Sequence, residues 1–185
     1  MGFFGLFGSG TKSAAAKYHA AVALSKQGAY DKAIQLLTKD IQSDPSFDHA
    51  YKSRADDYMM KGEYAKAIAD YTVWIKLHPR DPQGYSKRGF AYYMKQADDG
   101  VIEDYTTVIN LGSGDADAYF YRGAAHTRLN HPEQAIPDLT QAIDRDPRNP
   151  RAYELRARCY KAIGDATEAF VDEAKVRELK QAGAV

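Results

Sequence analysis

Hydrophobic and polar positions repeat along this chain with a fixed period of about 34 residues, as in the separation between Tyr51 and Tyr85. Tyrosine, arginine, isoleucine and aspartate each recur at that step in four consecutive copies. The four series are Tyr51, Tyr85, Tyr119 and Tyr153; Arg54, Arg88, Arg122 and Arg156; Ile41, Ile75, Ile109 and Ile143; and Asp70, Asp104, Asp138 and Asp172. A fixed period of about 34 residues indicates one supersecondary unit stacked many times, because each unit is too small to bury a core alone.

Each period contains two helical patterns. Counting from residue 14 gives five frames without an insertion, at 14–47, 48–81, 82–115, 116–149 and 150–183. In the second frame Tyr51, Ala55 and Tyr58 form an apolar stripe at i, i+4 and i+7, which predicts a first helix. A second stripe follows Gly62 and ends at Pro79, because proline cannot continue a helical hydrogen-bond ladder. The sequence therefore predicts one helix pair in every frame.

Small residues recur where the two helices of a pair approach each other. They stand at Ala33, Ala67, Ala135 and Ala169 and at Ala21, Ala55, Gly89, Gly123 and Ala157. The pattern Tyr-x-x-Arg-Gly/Ala, then Gly-x-Tyr, Ala-Ile and Pro resembles the tetratricopeptide repeat (TPR) family over about 170 of the 185 residues. This resemblance implies an all-α fold, an α-solenoid of antiparallel helix pairs that form a right-handed superhelix with a concave face.

The concave groove is where we expect a partner to bind, since members of the TPR family mostly bind other proteins and are not usually enzymes. Repeat positions 2, 5, 9 and 12 share one face of each first helix, away from its core stripe. The candidate groove residues are Lys52, Asp56, Met59, Gln83, Ser86, Phe90, Tyr93, Phe120, Thr127, Arg128, Arg151, Glu154, Arg158 and Lys161.

Phe90 and Phe120 are the expected apolar anchors, because aromatic side chains dominate the energetics of buried interfaces. Tyr93 is a further candidate. Basic side chains near the end of the array, above all Arg151 and Arg158, are expected to receive carboxylates. The alternative is that these aromatic side chains only pack against neighbouring helices.

The repeated arginine and the repeated aspartate are either both present in a frame or both absent from it. Four frames contain the pair at one constant spacing, whereas the first frame has Ala20 and Leu36 at the two positions. The pairs are Arg54 with Asp70, Arg88 with Asp104, Arg122 with Asp138, and Arg156 with Asp172. We interpret them as structural ion pairs at helix junctions, and ligand binding by the arginines is the alternative.

Composition narrows the classes of function. Lysine plus arginine equals aspartate plus glutamate at 25 each, which argues against a nucleic-acid binder with a basic footprint. A single cysteine, Cys159, excludes an intramolecular disulfide and fits a reducing compartment. No apolar run approaches the ~20 residues of a membrane span, and the mean hydropathy is −0.56. These features predict a cytoplasmic protein.

No catalytic or metal-binding constellation stands out. The five histidines form no His-x-x-x-His pattern, and Cys-x-x-Cys is absent. A possible phosphate-binding loop near the start fails because Thr11 separates Gly10 from Lys12. The lysine, asparagine and arginine clamp by which some TPR proteins grip the C-terminal tails of heat-shock proteins matches no three consecutive frames. We therefore expect no enzyme, no cofactor and no partner of the heat-shock clamp type.

The two ends differ from the array. Residues 1–13 are rich in glycine and contain Phe3, Phe4, Leu6 and Phe7. Three interpretations of this segment stay open: a frayed terminus, homo-oligomer assembly through residues 3–7, and weak attachment to a membrane. At the other end, Glu173 and Arg177 stand at positions that are apolar in the earlier frames. A polar outer face is typical of the last unit of a solenoid, so we expect residues 167–181 to be the closing helix.

Overall fold

The computed structural model describes residues 9–183 of the chain, with side chains from residue 17 onward. This part of the chain forms ten α-helices and no strand. The helices are α1 (Ser9–Lys26), α2 (Tyr30–Ser43), α3 (Asp48–Met60), α4 (Tyr64–Leu77), α5 (Pro82–Lys95), α6 (Asp98–Asn110), α7 (Ala116–Arg128), α8 (Pro132–Arg145), α9 (Pro150–Ala162) and α10 (Ala166–Gln181). The apolar segment 3–7 lies outside the described residues.

Helix starts coincide with the frames of the sequence pattern. From the second frame onward, the first helix of each frame begins at the first residue of that frame, and α10 corresponds to the predicted closing helix. Two of these starts show why: the side chain of Asp81 accepts a hydrogen bond from the Gln83 N–H at 2.9 Å, and Asn149 accepts one from the Arg151 N–H at 3.1 Å. Both helices have proline as their first residue, where its missing N–H costs nothing.

The turn inside each helix pair needs one residue with positive φ. The residues are Gly28, Gly62, Gln96, Asn130 and Gly164, with φ of 76°, 73°, 60°, 58° and 84°. Glycine adopts this conformation most easily, because it has no Cβ to collide with the backbone. Since Gln96 adopts it too, the repeat geometry imposes the left-handed turn even where the glycine signal is missing from the sequence.

The chain divides into two compact units, Met1–Pro79 and Arg80–Val185. In the first unit α1 packs on α2, α2 on α3 and α3 on α4; in the second unit each helix from α5 to α10 likewise packs on the next one. Packing between chain neighbours is the mark of a solenoid, so the predicted all-α solenoid class is confirmed. One continuous array over 14–183 and a right-handed superhelix stay predictions.

Close approach within a pair depends on the small residues. A Cβ atom on Gly123 would lie 2.9 Å from Cγ of Leu139, and one on Gly89 would lie 3.0 Å from the ring of Tyr105. Leu139 and Tyr105 are 0% and 3% exposed, so these contacts lie in the core. The recurrence of glycine or alanine at this position therefore has a packing cause.

Arginine and aspartate of the repeat form bidentate ion pairs at the edge of the core. Arg122 donates from Nε and Nη2 to the two carboxylate oxygens of Asp138 at 2.8 and 2.6 Å, and Arg88 contacts Asp104 in the same way at 2.9 and 2.7 Å. The hydrogen bonds to Asp138 raise the pKa of Arg122, so its guanidinium stays charged. Burial raises the pKa of the Asp104 carboxyl, and the charge of Arg88 opposes that effect.

A threonine from the preceding helix pair completes this arrangement. Arg122 also donates from Nη1 to Oγ1 of Thr106 at 3.1 Å. Arg54 and Arg156 make the equivalent contacts with Thr38 and Thr140, at 3.0 and 2.9 Å. Each of these arginines therefore ties its own helix pair to the previous one. Sequence analysis missed these threonines, although Thr38, Thr72, Thr106 and Thr140 recur at the same step as the arginines.

We expect Arg122→Leu to lower the free energy of unfolding by about 3–5 kcal/mol, because it leaves the Asp138 carboxylate buried without its counter-ion. Urea denaturation measures the loss. Arg148→Leu is the matched control, since Arg148 is exposed on a loop and should change stability by no more than about 0.5 kcal/mol. The double variant Arg122→Leu/Asp138→Leu should lose less than the sum of the two single variants. Additive losses would show that the pair carries no coupling energy.

Candidate functional site

Three first helices of the second unit form one continuous face. α7 contacts α5 on one side and α9 on the other. These three helices carry eleven of the fourteen candidate groove residues, among them the expected aromatic anchors and the four candidate cations Arg128, Arg151, Arg158 and Lys161. The site is therefore built here from the side chains of α5, α7 and α9.

Four aromatic side chains of α5 and α7 form a group with Tyr121 at its centre. Its ring centroid lies 5.4 Å from that of Phe90, 4.9 Å from that of Tyr93 and 5.3 Å from that of Phe120. We call these four residues the aromatic cluster. Edge-on contacts of this kind are favourable and hold each ring in one orientation. Tyr121 was not among the candidates, because its position in the repeat differs by one from the position used to select them.

The two expected anchors differ in exposure. Phe90 is 36% exposed, whereas Phe120 is 4% exposed and packs in a core cluster with Leu139 and Tyr153. Phe120 therefore matches the packing alternative, and Phe90 is the aromatic side chain that a partner could contact. Met94 lies one helical turn after Phe90 and is 42% exposed, so it widens the apolar surface. Sequence analysis missed Met94, although its i+4 spacing from Phe90 was a signal.

Two of the four candidate cations already have acidic partners. Arg128 forms an ion pair with Asp98, and its guanidinium lies 4.2 Å from the centre of the Tyr93 ring. Lys161 forms an ion pair with Glu173. The candidate Glu154 is paired as well, with Lys180 at 2.7 Å.

Arg151 and Arg158 have no acidic partner among the side chains that the structure describes. The Arg151 guanidinium lies 5.6 Å from the centre of the Phe120 ring, and Nη2 of Arg158 donates to the Thr127 carbonyl at 3.3 Å. Both side chains are exposed on α9. The face therefore combines exposed apolar surface at Phe90 with two positive charges that no described carboxylate neutralises.

Thr127 and Cys159 are buried and contact each other in the core. Oγ1 of Thr127 donates to the Gly123 carbonyl at 2.8 Å and lies 3.3 Å from Sγ of Cys159. Both residues are buried, and burial raises the pKa of the Cys159 thiol. A raised thiol pKa keeps the sulfur protonated and poorly nucleophilic.

The remaining candidates are placed as follows. On α5, Gln83 is exposed, and the carbonyl of Ser86 accepts a hydrogen bond from the Tyr105 hydroxyl at 3.3 Å. In the first unit, Nζ of Lys52 lies 5.0 Å from the centre of the Trp74 ring. Two further residues of that unit are Asp56, which accepts a hydrogen bond from the Tyr71 hydroxyl at 2.5 Å, and Met59, which is half-buried.

The described part of the chain offers no candidate metal site. No cluster of three His, Cys, Asp or Glu residues within it could hold a metal ion. His126 has a buried Nδ1 without a hydrogen-bond partner among the described residues, and burial lowers the pKa of this imidazole, as does the nearby charge of Arg122. None of the described helices is long and apolar enough to cross a membrane.

Two family models match the chain. One, described as TPR repeat, matches residues 55–96, and the other, described as tetratricopeptide repeat, matches residues 122–181. A comparison with curated proteins gave no match.

Solved structures with a similar fold include several of MamA. A crystal structure of MamA protein is 22% identical, with a TM-score of 0.86 over 92% of this chain and 93% of that one. Another crystal structure of MamA is 24% identical, with a TM-score of 0.83 over 89% and 96% of the two chains. MamA 41-end from Desulfovibrio magneticus RS-1 is 18% identical, with a TM-score of 0.84 over 91% and 96%. At these identities the likeness shows a shared fold.

The unequal burial of the two phenylalanines predicts unequal effects on stability. Phe120→Ala should lower the free energy of unfolding by about 3–5 kcal/mol, because it opens a cavity in the core. Phe90→Ala should change it by no more than about 0.5 kcal/mol, as expected for an exposed position. Urea denaturation of the two variants checks both values. Equal losses would contradict the assignment of Phe120 to the core and Phe90 to the surface.

Proposed function

This chain belongs to the tetratricopeptide repeat family, and from that premise we propose that it is a non-enzymatic adaptor that binds a peptide segment of a partner protein. Repeats of this family support protein–protein interaction scaffolds, and the family is generally non-enzymatic. The proposed site is the face of α5, α7 and α9 in the second unit. Lys52, Asp56 and Met59 are proposed as a separate candidate surface on the first unit.

The observation that carries this proposal is that the face formed by α5, α7 and α9 combines exposed apolar surface with uncompensated positive charge. Phe90 and Met94 supply the apolar surface, and Arg151 and Arg158 supply the charge. Interfaces draw most of their energy from a few aromatic or arginine side chains in a desolvated centre, with polar groups around them. A peptide with an apolar side chain for Phe90 would find both kinds of contact here.

The aromatic cluster also favours binding without a large loss of conformational entropy. Tyr121 contacts Phe90 and Tyr93, and Arg128 lies over Tyr93 while it pairs with Asp98. Side chains held in place before a partner arrives lose less rotamer freedom on binding. The wall of the proposed groove is thus ordered by its own contacts.

Selection from a random peptide display library on the immobilised full-length protein tests this function. We expect a family of peptides whose Kd rises at least about tenfold in Phe90→Ala, which corresponds to about 1.4 kcal/mol. Leu111→Ala is the matched control, since Leu111 is 38% exposed and lies outside α5, α7 and α9. Its affinity for the selected peptides should not change.

Two results would contradict the proposal: no enriched peptide, or an equal loss of affinity in Phe90→Ala and Leu111→Ala. Self-assembly through residues 3–7 is the competing function. It would be favoured if light scattering showed that the full chain is oligomeric, that a chain beginning at Ser13 is monomeric, and that neither selects peptides.

A further inference from the structure

The last helix pair has a cleft that shares Arg158 with the proposed peptide site and extends that site onto α10. It lies between α9 and α10, has a volume of about 330 Å³, and has Ala157 and Val176 as its apolar floor. Glu173 and Arg177 of α10 lie along its wall. Their repeat positions belong to Leu139 and Ile143 in α8, which are buried in the core cluster that includes residues of α9. The cleft is therefore the surface on which one more repeat would pack, and here that surface is charged.

The charges around this cleft do not cancel. Its two carboxylates each have a lysine partner, since Glu173 pairs with Lys161 and Glu154 pairs with Lys180. Arg158 and Arg177 line the same cleft and have no ion-pair partner among the described side chains. The hydrogen bond from Lys161 lowers the pKa of Glu173, so this carboxylate stays ionised and paired with its lysine. Two positive charges are left over an apolar floor.

Arg158 connects the cleft to the proposed peptide site. It donates to the Thr127 carbonyl of α7 and also lines the cleft with Arg177. Arg151 precedes it by two helical turns on α9, which is about 10.5 Å at 1.5 Å per residue. Cations thus continue from the aromatic cluster, where Arg151 lies over Phe120, to the cleft.

We propose that the α9–α10 cleft binds an acidic stretch of the same partner segment, with Arg158 and Arg177 pairing with its carboxylates. This inference rests on the proposed function and names the chemistry of the partner. Arginine suits the role because its planar donor fork matches a carboxylate in a bidentate way. The apolar floor between the two arginines takes the aliphatic part of an acidic side chain.

Distances on this face set the spacing that the partner needs. Three ring contacts of 5.3–5.6 Å lead from Phe90 through Tyr121 and Phe120 to Arg151. Extended chain covers about 3.3–3.6 Å per residue, so about five residues at most span that path and about three more span the step to Arg158. The partner should therefore contain carboxylates within about eight residues of a bulky apolar side chain.

An acidic peptide fits these observations better than a nucleic acid. The chain as a whole has 25 basic and 25 acidic residues, so it lacks the long-range attraction that a phosphate backbone requires. The excess charge is local, confined to a few arginines beside an apolar surface. Short acidic sequences with one apolar anchor match a site of that size.

The peptides selected on the full-length protein provide the test. We expect aspartate and glutamate to be enriched within about eight residues of a bulky apolar residue. The double variant Arg158→Gln/Arg177→Gln should weaken such a peptide about tenfold or more. Replacing the peptide's glutamates by glutamines should cost little further affinity in this variant. Arg148→Gln, a change of an exposed arginine that does not line the cleft, is the control and should bind normally.

Three outcomes would overturn the inference in distinguishable ways. Selected peptides that depend on Phe90 but are not acidic, or acidic peptides that the double variant binds unchanged, would remove the cleft and leave the proposed function standing. A labelled oligouridylate that binds more tightly than the acidic peptides, and is lost in the double variant, would reassign the cleft to nucleic acid. No selected peptide at all would remove the proposed function and this inference with it.

Discussion

The arginine–aspartate–threonine contact is the interaction on which the rest of this structure depends. An isolated helix pair of this size cannot bury a core of its own, so it must be tied to a neighbour. Arg122 does this by donating to Asp138 in its own pair and to Thr106 in the previous one. The same geometry recurs at Arg54 and Arg156, so the spacing between neighbouring pairs is set by one repeated joint.

The arginines of the chain fall into two groups, those that form this repeated contact and those that do not. The repeated arginines have donors engaged by a buried aspartate, and Arg54, Arg122 and Arg156 also donate to a threonine, so these side chains serve the packing of helices. Arg151 and Arg158 do not belong to that series, and their guanidinium groups lie on the exposed face of α9. Because the repeated pairs fix how α7 and α9 lie side by side, they also set the distance between the aromatic cluster and these two cations.

Much of the fold could be predicted from the sequence, because every repeat imposes the same physical requirements at the same positions. The helix starts at 48, 82, 116 and 150 follow from the period, and the small residues mark close approach. Gln96 shows where residue type fails as a signal, since it adopts the left-handed turn that glycine has in other frames. The positive φ is required by the backbone geometry of the turn, so the constant spacing of the repeat locates this position and the residue type does not.

The candidate site was less predictable, because its contacts join residues that do not recur. A helical-face argument ranks Phe90 and Phe120 alike, yet Phe120 is buried, since it packs in the core cluster with Leu139 and Tyr153. The pairing of Arg128 with Asp98 and of Lys161 with Glu173 likewise depends on how particular helices lie against each other. A periodic pattern describes what all repeats share and contains no information on such single contacts.

The central claim is that a partner segment lies across the first helices of the second unit. Amide chemical-shift mapping of the isotope-labelled full chain with a selected peptide tests it most directly, because each residue reports its own environment. The account predicts shifts concentrated at the exposed residues of α5, α7 and α9, around Phe90, Arg151 and Arg158. Shifts confined to α6 and α8, or to the first unit alone, would contradict it.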